Sequence, residues 1–188
     1  AWPLGRREVA QPADGAVVMV LASEARARDL HADPVWILGI GWCNGASALE
    51  SREWGEADYV ARAAGMAYRQ AGIHRPAEAF DLAEIDDTYA FKELQHLEAL
   101  GLCSPGMAGE MTERGATAPD GDLPVNVSGG SLGMGHLLEA TGLTRAYEAV
   151  LQLRGTAGKA QLDKAGTAVV QSWRGVPTTS AAVAVLAR

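Results

Sequence analysis

A glycine-rich stretch that ends in a histidine constrains this chain more than any other part of its sequence. Residues 124–142 read as a short apolar strand, four glycines in seven residues, a histidine and an amphipathic helix. Glycine has no Cβ, so it is used where the backbone turns sharply or where another group comes close. A histidine directly after such a turn is held by backbone, and His136 is therefore a candidate functional residue.

The order of these glycines separates the stretch from known phosphate-binding loops. The dinucleotide fingerprint is G-x-G-x-x-G, whereas Gly130, Gly133 and Gly135 give the reverse order, G-x-x-G-x-G. No P-loop lysine follows the glycines. A lone histidine is more often structural than catalytic, but the glycine setting of His136 favours a functional role.

Composition indicates a globular domain and argues against a nucleic-acid-binding protein. The chain has 188 residues, of which 48% are hydrophobic, enough for one domain or for a fragment of a larger one. Its net charge is −7, whereas nucleic-acid binders usually present a basic face. Cys43 and Cys103 are too few for a disulfide framework and lack metal-ligand spacing. We expect neither a bound metal nor a nucleic-acid partner.

Membrane and targeting signals are absent from the sequence pattern. No apolar run approaches the roughly 20 residues that span a bilayer, and no signal peptide is recognisable. The chain begins with Ala1 and not with methionine. The simplest interpretation is a cytoplasmic protein that has been trimmed or cleaved at its N-terminus, without a membrane span.

Hydrophobic patterning predicts strands and helices that alternate along the chain. Apolar runs predict five strands, at residues 15–21, 34–40, 80–85, 166–171 and 180–186. Periodic apolar or alanine-rich segments predict helices at residues 24–30, 54–72, 90–100 and 137–154. Gly175 and Pro177 suit a turn that joins the last two strands as an antiparallel pair. The result is a layered α/β domain with helices covering a mixed sheet.

Two segments between these elements are predicted to be irregular. Residues 41–51 are rich in Gly, Ser and Asn and read as a loop. Residues 102–122 contain several glycines and two prolines, and they read as a long irregular excursion. Loops of that length in a compact domain are often functional.

The stretch around His136 resembles the C-terminal half of a thiolase-superfamily enzyme. The family hallmark is the string N-x-x-G-G-x-x-x-G-H-P-x-x-A-[S/T]-G, and this chain departs from it at Leu137, where the family has proline. The resemblance implies a thiolase-like layered α/β fold with a mixed five-stranded sheet, half of a duplicated architecture. Residues 1–32 would be the tail of the N-terminal half, and residues 33–188 the C-terminal domain. The matching residues are Asn126, Gly129, Gly130, Gly135, His136, Ala140, Thr141 and Gly142.

Departures from the family concern the thiol chemistry. The nucleophilic cysteine of ordinary thiolases belongs to the first half, and their second cysteine is replaced here by Ser-Trp-Arg-Gly-Val-Pro at residues 172–177. Sterol-carrier-type thiolases carry His-Asp-(Cys/Ala)-Phe after a strand. Alignment with that motif puts Asp86 at the histidine, Asp87 at the aspartate and Tyr89 at the phenylalanine. Neither cysteine of the chain has a recognisable activating setting.

Four side chains are the resulting catalytic candidates. The resemblance implies that His136 donates a hydrogen bond to an enolate oxygen. The adjacent carboxylates of Asp86 and Asp87 suit a general base or acid, and the phenol of Tyr89 is a candidate proton donor. In the alternative interpretation Asp87 caps the helix that begins near Ala90, and Tyr89 belongs to the core. The glycine loop would bind a coenzyme A thioester as substrate, without a tightly bound cofactor, through Gly129, Gly130, Gly133 and Gly135.

The pattern is most similar to thiolase-like lipid-transfer proteins, the aldolases of steroid side-chain breakdown. These lack the thiolase cysteines, cleave a β-hydroxyacyl-CoA by a retro-aldol step and work with a partner that carries an OB-fold and a zinc ribbon. The resemblance implies such a lyase, with His136 stabilising the enolate and with at least a dimeric assembly. One alternative is an acetyl-CoA acyltransferase of the thiolase or sterol-carrier type, whose cysteine lies in a missing N-terminal half. Another is a non-catalytic acyl-CoA-binding subunit.

Overall fold

A mixed sheet organises the computed structural model, which describes residues 3–30, 33–46, 48–175 and 179–188. Its strands lie in the order β1-β4-β3-β2. Strands β2 and β3 run parallel, whereas β4 is antiparallel to both β1 and β3. The predicted mixed sheet and the predicted antiparallel pair at the end of the chain are confirmed. The strands are β1 (Trp36–Asn44), β2 (Leu82–Glu84), β3 (Thr167–Arg174) and β4 (Ser180–Ala187).

Helices cover the sheet on both faces. Helix α2 packs with Val183 and Val185 on one face, and α6 packs with Val170 and Leu186 on the other. Successive residues of a strand point to opposite faces, which is how β4 contributes to both layers. The helices are α1 (Glu24–Leu30), α2 (Asp58–Ala71), α3 (Ala90–Ala99), α4 (Ala108–Glu113), α5 (Gly130–Met134) and α6 (Thr141–Arg154), and single 3-10 turns lie at Arg6–Glu8, Leu49–Ser51, Pro76–Glu78, Leu138–Ala140 and Gly158–Ala160.

The sheet has four strands in the described part of the chain, so the prediction of five was wrong by one. Residues 15–21 are as apolar as predicted, but they form no strand. The side chains of Val18 and Val20 are 87% and 86% exposed. A strand needs a neighbour for its backbone hydrogen bonds, and no described residue supplies one here.

Strand β1 extends further than predicted, to Asn44, and so takes in the start of the predicted loop. Its glycines are explained by the approach of α2. A Cβ at Gly39 would overlap the carbonyl oxygen of Ala67, and one at Gly41 would overlap that of Ala63. The glycines therefore permit close packing of the helix on the strand. The sequence pattern predicts a strand at Gly39 but a loop at Gly41.

Other element boundaries follow the predictions closely. Helix α2 ends at Gly72, which has φ of 69° and the left-handed conformation of a glycine C-cap. The segment 102–122 is less irregular than predicted, because it contains α4. The predicted turn residue Pro177 lies outside the described residues. Within the described ranges, no helix combines the length and apolarity needed to cross a bilayer.

Candidate functional site

The glycine stretch folds as a strand-like bridge, a short helix and a histidine beside the end of β2. Val125 forms a parallel bridge with Ala83, and the Asn126 N–H donates to the Ala83 carbonyl at 2.9 Å. Helix α5 follows, and Gly135 ends it with φ of 102°. The expected open loop is therefore mostly helical. His136 comes directly after the glycine that ends this helix.

His136 is held by backbone on both sides. Its N–H donates to the Gln11 carbonyl at 2.8 Å, and its own carbonyl accepts from the Ala13 N–H at 3.1 Å. Its ring nitrogen Nδ1 lies 3.1 Å from the Thr141 hydroxyl and 3.5 Å from the Thr88 hydroxyl. Among the described residues, no group hydrogen-bonds to Nε2. The N-terminal segment thus fixes the backbone of His136, and two threonines contact one edge of its ring.

A cavity of about 210 Å³ lies against His136. Thr88 and Ser172 contribute hydroxyls to its lining, Trp173 contributes an aromatic ring, and Arg174 lies at its exposed side. Drug-sized ligands occupy pockets of roughly 300–1,000 Å³. The described residues therefore line a small, half-open cavity beside His136.

The carboxylate of Asp87 caps α5. It accepts hydrogen bonds from the backbone N–H groups of Ser131 at 2.7 Å and Leu132 at 3.1 Å. A Cβ at Gly130 would overlap this carboxylate, so glycine is required there. The predicted cap of the helix near Ala90 is wrong, since α3 has no side-chain cap. The sequence correctly favours a capping role for Asp87, but the helix that it caps is 43 positions downstream rather than adjacent.

Arg145 of α6 pairs with both predicted carboxylates. Its Nη1 lies 3.0 Å from Asp86 Oδ2, and its Nη2 lies 3.2 Å from Asp87 Oδ1. The guanidinium also donates to the Ile85 carbonyl at 2.9 Å and to the Ser131 hydroxyl at 2.7 Å. All three charged side chains are at most 2% exposed. We call Arg145, Asp86 and Asp87 the ion cluster.

The ion cluster changes what the two aspartates contribute. Buried charges require partners, and here one arginine forms an ion pair with each carboxylate, although the contact between Arg145 Nη1 and Asp86 Oδ2 lacks hydrogen-bond geometry. Neither Asp86 nor Asp87 is among the described residues that line the His136 cavity. Arg145 was not identified as a site residue from the sequence. The available signal was an arginine on the inner face of the helix that directly follows the histidine motif. A general acid–base role for either aspartate stays a prediction.

Tyr89 lies near the cavity without lining it. Its ring stacks on Phe91 at 5.9 Å between centroids and meets the edge of Trp173 at 6.3 Å. Trp173 in turn lines the cavity. In the described part of the chain, no group hydrogen-bonds to the Tyr89 hydroxyl. Tyr89 is half-buried, so the expectation of a core tyrosine holds only in part, and its role as proton donor stays a prediction.

Buried carboxylates tether the glycine stretch to its surroundings. Glu84 accepts hydrogen bonds from the hydroxyl and N–H of Ser128, at 2.8 and 3.3 Å. Burial raises the pKa of Glu84 to about 7. Asn126 accepts from the Ile85 N–H at 2.8 Å and donates to Glu93 at 2.7 Å. These bonds fix the stretch to β2 and to α3.

His96 anchors Asp86 from the opposite side. Its Nδ1 lies 3.0 Å from the Asp86 carbonyl, while the Gln171 side chain accepts from the Asp86 N–H at 2.8 Å. Burial is the main cause that lowers the pKa of His96, to about 4. His96 is therefore neutral in the folded protein at neutral pH, and the carbonyl contact implies that Nδ1 carries the proton.

The two cysteines lie away from His136. Cys43 is on β1, and Cys103 lines a separate cavity of about 390 Å³ next to α4. Burial raises the pKa of the Cys103 thiol, which lowers the fraction of nucleophilic thiolate. Within the described residues, no cluster of three or more His, Cys, Asp or Glu side chains is arranged to hold a metal ion.

Comparison with known proteins places this site in a family. Residues 43–188 match the sequence model described as "Thiolase C-terminal domain-like". An acetyl-CoA acetyltransferase of Methanothermobacter thermautotrophicus is 35% identical over 182 residues, which cover 96% of this chain and 47% of that protein. Sterol carrier protein 2 of Bos taurus is 36% identical over 83% of this chain and 30% of its own length.

A lyase and an aldolase structure are also similar. The 17-hydroxy-3-oxo-4-pregnene-20-carboxyl-CoA lyase of Mycobacterium tuberculosis is 34% identical over 83% of this chain and 40% of that protein. The solved structure of the "Ltp2-ChsH2(DUF35) aldolase" matches with a TM-score of 0.84 and 26% identity, covering 100% of this chain and 48% of that one. The chain thus spans at most about half the length of these relatives. The resemblance to thiolase-like lipid-transfer proteins and aldolases is confirmed, while the domain boundary at residue 32 stays a prediction. The chain belongs to the thiolase C-terminal domain-like family.

Proposed function

We propose that this chain forms half of a thiolase-superfamily enzyme that cleaves a β-hydroxyacyl-CoA by a retro-aldol reaction. The observation that carries the proposal is the setting of His136. Its backbone is fixed, its Nδ1 edge is occupied by two hydroxyls, and the residue lines a cavity. No cysteine is among the described residues that line this cavity. The described part of the site therefore offers a candidate hydrogen-bond donor and contributes no thiol of its own.

The reaction requires a base, a donor and no covalent intermediate. The base removes the proton of the β-hydroxyl group, the Cα–Cβ bond breaks, and the β-carbon becomes a carbonyl. The bonding pair moves to the thioester as an enolate, which then takes a proton at Cα. A donor aimed at the enolate oxygen stabilises the transition state. We assign this role to His136 Nε2.

Proton transfer is assigned to Tyr89 rather than to the aspartates. Asp86 and Asp87 are paired with Arg145, and Asp87 also caps α5, so ionised carboxylates are what hold the ion cluster together. Tyr89 lies one ring away from the cavity and keeps its hydroxyl unbonded within the described part of the chain. We assign the Tyr89 oxygen to take the proton of the β-hydroxyl group and then to return a proton to Cα of the enolate.

The rest of the acyl-CoA site would come from the other half of the enzyme. The relatives are about twice as long as this chain, and α6 packs mainly on β2 and β3, with a smaller contact to β4, on its face of the sheet. On the β1 side of the same face, Ile40 and Trp42 are 55% and 68% exposed. Their cross-strand neighbours on β4 are Ala184 and Ala182. We call these four residues the open sheet face, and we propose that the other half covers it.

Further partners are proposed from the similar proteins. The name of the aldolase structure gives two components, Ltp2 and ChsH2(DUF35). A second protein is therefore proposed here as well, and an OB-fold and zinc-ribbon partner and a dimeric assembly stay predictions.

An acyltransferase is the second candidate function. It is favoured by the 35% identity to an acetyl-CoA acetyltransferase over 96% of this chain. In that case the nucleophilic cysteine would come from the other half and face the same His136. The enzyme would then act on a 3-oxoacyl-CoA and would need free coenzyme A to release the product.

Two substrates distinguish these functions. The chain is assembled with the segment that supplies its other half and is given either a β-branched 3-hydroxyacyl-CoA or a 3-oxoacyl-CoA. Retro-aldol cleavage predicts a carbonyl product and a shortened acyl-CoA from the first substrate without added coenzyme A. Cleavage of only the second substrate, and only with free coenzyme A, would establish the acyltransferase. Tight binding of both without turnover would indicate an acyl-CoA-binding subunit.

A further inference from the structure

The hydroxyl of Thr141 lies where it can decide which nitrogen of His136 carries the proton. Thr141 is the first residue of α6, and its Oγ1 is 3.1 Å from His136 Nδ1. The Thr88 hydroxyl is the second neighbour of the same nitrogen, at 3.5 Å. A neutral imidazole carries one proton, and the partner of one nitrogen selects the tautomer.

Hydrogen-bond accounting favours one of the two tautomers. Each threonine hydroxyl has one proton to donate, and in the described part of the chain neither has an acceptor other than Nδ1. If Nδ1 carried the proton, both hydroxyl protons would lack an acceptor. Thr141 is only 5% exposed, so an unpaired proton there is costly. If Nδ1 is unprotonated, it accepts from Thr141 and this cost disappears.

The ion cluster sets the positions of both threonines. Arg145 lies one helical turn after Thr141, on the same face of α6, and its pairing with Asp86 fixes that helix against the end of β2. The Asp86 carboxylate also accepts from the Thr88 N–H at 3.0 Å. Arg145 and Asp86 therefore place the two hydroxyls on the same edge of His136.

We propose that Thr141 is a positioning residue that holds His136 as the tautomer protonated on Nε2, with Thr88 as a weaker second contact. The ion cluster keeps the two threonines in place. This tautomer presents an N–H, and no basic nitrogen, on the ring edge away from the two threonines. The inference deepens the proposed function, on which its catalytic purpose rests, because an enolate oxygen needs a donor and not a base.

Nitrogen NMR of the 15N-labelled chain tests the tautomer without any substrate. Long-range proton–nitrogen correlation spectra at alkaline pH distinguish the protonated ring nitrogen from the unprotonated one. His136 is assigned by the signals that His136→Gln removes. We expect Nε2 to be the protonated nitrogen in the wild-type protein. Protonation on Nδ1 would overturn the proposal, and the tautomer itself is measured on the wild-type protein.

Three threonine variants test the cause. Thr141→Val should shift the tautomer ratio towards Nδ1–H by about fivefold to tenfold, the equilibrium effect of one neutral hydrogen bond. Thr141→Ser keeps a hydroxyl and should retain the wild-type ratio. Thr144→Val is the matched control, since the Thr144 hydroxyl donates to the Ala140 carbonyl on the same helix and does not contact His136.

The outcomes separate this inference from the proposed function. An unchanged ratio in Thr141→Val, or an equal shift in Thr144→Val, would overturn the role of Thr141. If Thr141→Val does not fold, Thr88→Val gives the same test, with a smaller shift in the same direction expected. The wild-type chain could show the Nε2–H tautomer while the assembled enzyme cleaves no 3-hydroxyacyl-CoA. That combination would sustain the inference and refute the retro-aldol proposal.

Discussion

The ion cluster and the open sheet face differ in how many of their contacts this chain supplies. In the cluster, the charges of Arg145, Asp86 and Asp87 lie within 3.2 Å of an opposite charge. On the open sheet face, Trp42 is 68% exposed on a strand that has no neighbour on its outer edge within the described residues. The charges of the first region find opposite charges within this chain, whereas the second region has an apolar surface typical of an interface.

This difference indicates which parts of the site come from this chain and which come from the other half. The position of His136 depends on contacts that all lie within this chain, from the N-terminal segment to α6. The cavity beside it is small and half-open, and the uncovered apolar surface lies on the sheet of the same chain. We infer that this chain supplies the rigid donor and that the other half supplies much of the substrate-binding wall.

Removing the cation of the ion cluster should have the largest effect. Arg145→Met leaves two buried carboxylates without their partner, and the expected loss of unfolding free energy is about 3–5 kcal/mol. Chemical denaturation measures it. Arg62→Met is the control, because Arg62 pairs with Asp58 on the exposed side of α2 and should change stability little. Equal losses in the two variants would refute the view that the cluster is a complete, mutually dependent unit.

The two glycines of α5 offer a matched pair with the next largest effect. A Cβ at Gly130 would overlap the Asp87 carboxylate, and its φ of 58° disfavours side chains. Gly130→Ala should therefore cost about 2–4 kcal/mol. A Cβ at Gly133 would point into open space, and Gly133→Ala should be neutral or stabilising by up to about 1 kcal/mol. Thermal or denaturant unfolding of both variants decides whether Asp87 requires glycine at residue 130.

A substitution on the open sheet face should leave the stability of the isolated chain unchanged but weaken its binding to the other half. Trp42→Ser should change the stability of the chain by less than about 0.5 kcal/mol, because the side chain is mostly exposed. Its binding to the other half should weaken by about 2 kcal/mol, as for a central aromatic at an interface. Titration calorimetry or co-purification measures the binding. Wild-type affinity in this variant would place the interface elsewhere.

Two buried titratable groups should give pH dependences of opposite sign. The raised pKa of Glu84 means that the folded protein holds a proton that the unfolded chain has lost, so stability falls as pH rises from about 4.5 to about 7. The lowered pKa of His96 means that the unfolded chain holds the extra proton, so stability falls as pH drops from about 6.5 to about 4. In the overlap the two effects oppose each other.

Replacing either Glu84 or His96 should expose the pH dependence of stability that the other residue causes. Between about pH 5 and pH 6, Glu84→Gln should make stability rise more steeply with pH, and His96→Gln should make it rise less, each by up to about 1.4 kcal/mol per pH unit. Unfolding free energies at several pH values provide the slopes. Slope changes of the same sign in the two variants would contradict the assigned protonation states.

Local sequence patterns predicted what depends on local geometry. Gly72 ends α2 as expected because a left-handed C-cap needs only the residue itself. The string around His136 identified the family and the candidate site because its spacing is contiguous. Patterning was also sufficient for the antiparallel pair β3 and β4, which a short connection joins.

The sequence failed where distant residues decide the outcome. Residues 15–21 have strand character, but a strand also needs a neighbour that the described residues do not include. Gly41 was predicted to lie in a loop, because the approach of α2 cannot be read from its own segment. Arg145 was missed because its carboxylate partners lie 58 and 59 positions earlier in the chain. For the same reason, the sequence predicts catalytic aspartates but does not reveal that both of them pair with Arg145.

The effect of His136 on cleavage tests the central claim most directly. The assembled enzyme and its His136→Ala variant are compared on a β-branched 3-hydroxyacyl-CoA, with product formation measured at saturating substrate. Loss of one donor to a developing oxyanion lowers kcat by roughly 100-fold to 1,000-fold, and we predict a decrease in that range with little change in acyl-CoA binding. A variant with kcat within about twofold of the wild type would contradict the account.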